Sequence, residues 1–164
     1  MNNKDIKVNI VSNCYWIIRD IMEDNGYSSS EYSVDLSYPN NEEEIRETPM
    51  ICLETRGVIS KAYELNSKSK QVVRISISII DESRRRILQI QKFLWDNLHG
   101  KTKPFYDMTS SEPSAVGNYA GLSDVGVLTI RDGMMDTAPV TKKLSDIKYH
   151  YEAIASFLVE AGLD

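Results

Sequence analysis

Apolar positions near the start of the chain recur at helical spacing, at Ile10, Val11, Cys14, Tyr15, Ile17, Ile18, Ile21 and Met22. With Asn2 or Asn3 as candidate cap and Gly26 as stop, the pattern predicts a long amphipathic helix. From Tyr27 to Thr48 the sequence turns polar, although Tyr32, Val34, Leu36 and Tyr38 alternate before Pro39. That stretch predicts a weak edge strand followed by an acidic loop holding Glu42, Glu43 and Glu44. After Pro49 the run MICLETR predicts a strand buried on both faces, and Val58 to Leu65 a second strand, with a turn from Asn66 to Lys70.

The clearest pattern lies between Val72 and Leu98. Val73, Ile75, Ile77 and Ile79 alternate with Arg74, Ser76 and Ser78, which gives a strand one core face and one polar face. Asp81 and Ser83 can cap the helix that follows, in which Ile87, Ile90, Phe93, Leu94 and Leu98 share a face and Gly100 stands at the expected C-terminal position. Strand, cap, helix and stop agree with one another.

Beyond Pro104 the stretch TSSEPSAVGNYAGLSD is rich in small residues and longer than a usual connection, so a long flexible loop is expected over about 107–124. Two late strands are predicted, Val125 to Arg131 and Ile147 to about Phe157, although Ile154, Phe157 and Leu158 also fit a helix. The fold class that follows is α/β in the α+β sense. It has a mixed, mainly antiparallel sheet of about four to six strands with two principal helices packed on one face. No internal repeat or shift of composition divides the 164 residues, so residues 1–164 are expected to form one domain.

Composition narrows the function classes. Apolar residues make up 41% and charged residues 26% of the chain, which is a globular balance. No run approaches the ~18 apolar residues of a membrane span, and MNNKDIKVNI lacks the pattern of a secretory signal, so a cytosolic site of synthesis and no membrane partner are expected. A net charge of −5 argues against a broad grip on nucleic acid. Cys14 and Cys52 stand without CxxC spacing and are read as core thiols.

Catalytic signatures are missing. His99 and His150 stand in neither HExxH nor any other metal-ligand spacing, and neither GxSxG nor GxxxxGK[ST] occurs. Asp132, Gly133 and Asp136 resemble a fragment of a calcium loop without its remaining ligands, so RDGM is read as a hairpin or surface turn. No catalytic, metal or cofactor residue is assigned, and the chain is expected not to be an enzyme. The competing class is a small ligand-binding domain or enzyme with a pocket lined by Tyr149, Tyr151 and Glu152.

The helix wheels supply the better clue. Trp16 lies off the main apolar face of the first helix, and Leu88 with Trp95 forms a second stripe on the other. Either the two helices lie side by side and bury these residues, or the stripe packs on a neighbouring subunit, where Trp is enriched. Arg84, Arg85 and Arg86 fan out by roughly 100° each on a helix, so the three are not expected to form one patch. Trp16, Leu88, Trp95, Arg84, Arg85 and Lys68 are therefore the candidate subunit-interface residues.

The order of elements resembles the tail terminator, or tail completion, proteins of long-tailed bacteriophages. The likeness is carried by the N-terminal helix, the strand opening with Pro in PMICLETR, the hairpin into VVRISISII, the helix SRRRILQIQKFLWDNL and a closing strand of the YHYEAI kind. It covers most of the chain, and no individual functional residue is carried over from it. The resemblance implies a structural virion protein at the tail–neck junction, made in the host cytoplasm. It further implies a homohexameric ring that touches the tail tube protein on one side and neck or connector proteins on the other, with DNA passing through a central channel without tight binding. A ring would make the hairpin around Lys68 and the loop after Tyr106 candidate arms between subunits. Another head-to-tail joining protein is the nearest structural alternative.

Overall fold

The computed structural model describes residues 3–45, 47–61, 70–139 and 151–163. In chain order these form α1 (Asn3–Asp24), β1 (Ser33–Asp35), a short 3-10 turn (Glu42–Glu44), β2 (Met50–Lys61), β3 (Lys70–Ile80), α2 (Arg84–Leu98), β4 (Thr102–Asp107), β5 (Ser123–Pro139) and β6 (Tyr151–Leu163). The strands make one six-stranded sheet in the order β1-β2-β3-β6-β5-β4. β1 pairs parallel with β2, and every other neighbouring pair is antiparallel. This is the expected α+β fold with a mixed, mainly antiparallel sheet.

Period-two patterning puts β3 and β6 at the centre of the core. Ile75, Ile77 and Ile79 pair with Phe157, Ala155 and Ala153. All six side chains are buried against the helices. The small alanines of β6 leave room for α2, and Ile87, Ile90, Leu94 and Leu98 bury themselves there. Both helices lie on this one face, since Cys14, Ile17 and Ile18 of α1 and Leu98 of α2 surround the same Ile75, Ile77 and Phe157 side chains. The other face of the sheet carries no helix among the described residues. There Met50, Cys52 and Ile80 form a smaller apolar cluster that Tyr38 and Ile45 cover.

Several boundaries differ from the expectations of the sequence, each for a local reason. MICLETR and the segment after Val58 are one strand, because β2 passes a bulge between Thr55 and Val58 and pairs with β3 on either side of it. A bulge absorbs one extra residue without ending the ladder. RDGM is likewise neither hairpin nor turn. It is a bulge inside the single strand β5, where Arg131 pairs with Leu158, Met134 pairs with Ser156, and Asp132 takes a φ of 49°. The helical alternative for Ile154, Phe157 and Leu158 is excluded, since all three lie in β6 and alternate between the sheet faces. The alternating stretch Tyr32 to Tyr38 shortens to Ser33–Asp35.

The flexible loop expected over about 107–124 is shorter, since Asp107 ends β4 and Ser123 begins β5, and the segment between them is tied to α1. Asp20 accepts hydrogen bonds from the Gly117 amide at 2.8 Å and from the Tyr119 hydroxyl, and the Tyr119 ring stacks on Tyr106 at 4.7 Å. Burial, and then the bond to Asp20, push the Tyr119 hydroxyl pKa upward.

Candidate subunit interface

α2 is capped by Ser83, whose side chain accepts from the Arg86 amide at 3.3 Å. The three arginines that follow separate in function. The Arg86 guanidinium turns back to the Asp81 carboxylate, whose side chain is fully buried. Arg84 and Arg85 instead line one outward surface together with Leu88, Gln89 and Lys92. The expectation that three consecutive arginines cannot share a patch holds for Arg86, whereas Arg84 and Arg85 do share one. Stripes one turn apart on neighbouring helix faces merge across the apolar Leu88 between them. Leu88 is 39% exposed, and Lys92 pairs with Asp96 along the same helix at 2.5 Å.

The two tryptophans are placed differently. Trp16 is only 7% exposed and meets Tyr15 edge-on at 5.7 Å, while the Arg19 guanidinium lies 4.9 Å from its ring centroid. It is covered within its own chain, with Tyr15 and Arg19 of the same helix against the ring. Its indole nitrogen is buried without a hydrogen-bond partner. Trp95 is half-buried, stacked on His99 at 4.2 Å and packed on Phe157 at 5.6 Å. A Cβ on Gly133 would stand 2.7 Å from the rings of Trp95 and His99. The bulge glycine is therefore what lets the indole lie against β5. Lys68 and Tyr149 lie outside the described residues, as does the tip of the hairpin between β2 and β3. Of the other members of the alternative pocket, Tyr151 opens β6 opposite Pro139, and Glu152 beside it is 7% exposed and pairs with Ile80.

Other exposed apolar residues escaped the sequence pattern. Met134 is 65% and Met135 49% exposed, just beyond the bulge in β5. Adjacent apolar residues in a strand point to opposite faces, so the Met-Met pair in RDGMMD already implied one methionine off the helix side.

The two edges of the sheet are treated unequally. Along β4, Asn13 of α1 donates to the Tyr106 carbonyl at 2.8 Å and accepts from the Tyr106 amide at 3.0 Å, while Asn9 accepts from the Met108 amide at 2.8 Å. Two buried helix asparagines thus satisfy the edge that another chain would otherwise pair with. At the opposite edge, the Ser33 amide of β1 donates to the Pro49 carbonyl at 3.1 Å. Parallel alternation then turns the Val34 amide and carbonyl away from β2. A cleft of about 660 Å³ borders this edge, between Tyr15, Trp16 and Arg19 on one side and Val34 to Leu36 on the other.

Chemically these surfaces can pack and pair. No cluster of His, Cys, Asp and Glu fit to hold a metal ion occurs among the described residues. No described helix is long and apolar enough to cross a membrane. No known family model matches the chain, and no curated protein matches it.

Proposed function

We propose that this protein is a structural ring component of a long-tailed bacteriophage, a tail terminator that closes the tail tube and joins it to the neck. The nearest structural alternative is another head-to-tail joining protein. The observation that carries the reading is where the molecule leaves its large apolar side chains outside the core. Leu88, Met134 and Met135 stand 39%, 65% and 49% exposed on α2 and β5, and Val8, Leu36 and Val127 are exposed as well. Exposed apolar residues set among charged ones are what an association surface requires. The succession of α1, β2 after Pro49, its antiparallel partner β3, α2 and the late strand β6 is the part of the element order on which the resemblance rests, and β1, β4 and β5 stand between its members. An acidic chain, with a net charge of −5, suits a channel through which DNA moves without being held.

The test is the mass of the purified protein in solution together with negative-stain images. Closed rings with six-fold symmetry, or binding to the ends of tail tubes, support the proposal. A persistent monomer across the concentrations of a tail assembly reaction, above all one that retains a small ligand, sinks it. Leu88→Asp is expected to abolish assembly while the circular dichroism spectrum of the monomer is unchanged, since the side chain lies outside the core.

A further inference from the structure

We propose that copies of this chain join by adding the outer half of β5 of one copy as a further strand along β1 of the next, with Met135 entering the cleft between β1 and α1. The inference rests on the ring reading above and names the strands that would close the ring.

The first observation is a pair of open edges. β4 and the turn before it accompany β5 as far as Ile130, which donates to the Lys101 carbonyl and accepts from the Gly100 amide, both at 2.9 Å. Beyond that point no strand among the described residues lies on the outer side of β5, and Met134, Met135, Asp136 and Thr137 are all exposed. The Thr137 amide donates to the Asp136 carboxylate beside it at 2.7 Å, a local bond of the kind an amide makes when no strand lies alongside. Alternation turns the Met135 amide and carbonyl to the same side as those of Thr137. β1 repeats the arrangement, with the Leu36 amide donating to the Asp35 carboxylate at 2.8 Å and the Val34 amide and carbonyl turned away from β2. The β4 edge, in contrast, is closed by Asn9 and Asn13. Open strand edges are templates for pairing with another chain.

The second observation is the register. Where β4 does not reach, the sheet has the order β1-β2-β3-β6-β5, and its rows run from edge to edge. Val34 pairs with Ile51, Ile51 with Ile79, Ile79 with Ala153 and Ala153 with Thr137, so the two open edges bound the same end of the sheet. β1 is parallel to β2, and the pairings from β2 to β3, β3 to β6 and β6 to β5 are all antiparallel, so β5 runs opposite to β1. A second copy set beside the first with its helices on the same face therefore offers β5 to β1 in the antiparallel sense. In that sense one residue can exchange both its amide and its carbonyl bond with the residue opposite. Either edge paired with itself on a two-fold axis would leave the other edge bare, whereas head-to-tail pairing uses both. Such a contact repeats from copy to copy and closes into a ring when the rotation permits.

Side chains then select the alignment. If the rows simply continued, Asp35 would stand opposite Asp136, and like charges directly opposite are unfavourable. Sliding the partner by one full pleat keeps every side chain on its face and sets Met135 opposite Val34 and Asp136 opposite Ser33. Met135 pairs with Ala155 of the core and so belongs to the helix side of the sheet. On that side Tyr15, Trp16 and Leu36 line the cleft of about 660 Å³. A thioether packs favourably against aromatic rings, and the contact would cover both Met135 and the 53% exposed Leu36.

The test is cross-linking between copies of the full chain. Leu36→Cys/Met135→Cys places thiols at two exposed positions, while the native Cys14 and Cys52 are buried. A short bismaleimide is expected to turn the assembled double variant into a ladder on denaturing gels that ends at the ring, and a mixture of the two single variants into dimers only. Met135→Asp sets a carboxylate against Asp35 and Glu112 of the cleft. It is expected to weaken assembly at least about tenfold in sedimentation velocity, with the circular dichroism spectrum of the monomer unchanged. A ladder without limit, from filaments, supports the contact and overturns the ring reading. Dimers formed by either single variant alone show two-fold pairing and overturn the inference. Rings that neither cross-link nor respond to Met135→Asp overturn it and leave the ring reading standing. A wild-type chain that is monomeric throughout overturns both.

Discussion

Replacing Asn13 by Ala is expected to cost about 1.5 kcal/mol of folding stability. Asn13 is 1% exposed in the middle of α1, and its side chain holds both backbone groups of Tyr106, at 2.8 and 3.0 Å. A third bond, to the Asn9 carbonyl at 2.8 Å, duplicates an acceptor already engaged in the helix and adds little. Truncation leaves the Tyr106 amide and carbonyl without their partner, at roughly 1–3 kcal/mol for each buried group. A cleft of about 190 Å³ bordered by Asn13 and Tyr106 admits water to the site, which places both costs at the lower end. Alanine returns about 0.6 kcal/mol through its better helix propensity. Urea unfolding monitored by tryptophan fluorescence measures the balance as a lower midpoint with an unchanged slope. Asn13→Asp separates the two bonds. It keeps the acceptor for the Tyr106 amide but sets a carboxylate against the Tyr106 and Asn9 carbonyls. Its folded-state pKa is then raised, so the variant should be least stable at neutral pH and recover as acid restores a donor. A loss below about 0.5 kcal/mol for Asn13→Ala would refute the reasoning that the asparagine holds the β4 edge.

Burial pushes the Cys14 and Cys52 thiols up to about 12, with the charge of Asp35 adding to the effect at Cys52. Thiol titration at pH 8 should therefore find no reactive cysteine in the native protein and both in denaturant. Because the folded thiols resist ionisation, their contribution to stability is intact below the unfolded value near 9 and falls as pH rises above it. Asp20→Ala removes the acceptor for the Gly117 amide and the Tyr119 hydroxyl. Limited proteolysis should then cut between residues 109 and 118 well before the wild type is cut, while the core melts at nearly the same temperature. Equal cleavage rates would show that the segment is held by other contacts.

Much of this protein is legible along the chain. The alternation Val73, Ile75, Ile77, Ile79 and the capped stripe Ile87, Ile90, Leu94, Leu98 fix a strand and a helix that must face each other, because period and burial are local properties of the sequence. The globular balance of apolar and charged residues, the two core thiols and the missing catalytic signatures follow from composition and spacing alone. What the chain could not reveal is where the pattern is interrupted and how the interruption is absorbed. Asp132-Gly133 read as a turn, and Gly57 as the break between two strands, because each interrupts the alternation, yet both lie in bulges, since the ladder resumes with its neighbour beyond them. Only the partner strand decides between a turn and a bulge. The fates of Trp16 and Trp95 were equally beyond a helix wheel. A wheel shows that a side chain leaves the main face, but not that the first is buried within its own chain or that Gly133 lets the second lie against β5. Asn9 and Asn13 read as ordinary polar positions within a helix, and they become structural only because β4 brings its open edge against α1. Local periodicity comes from the bonds of one chain segment to itself, whereas edges, bulges and covered faces exist only once distant segments meet.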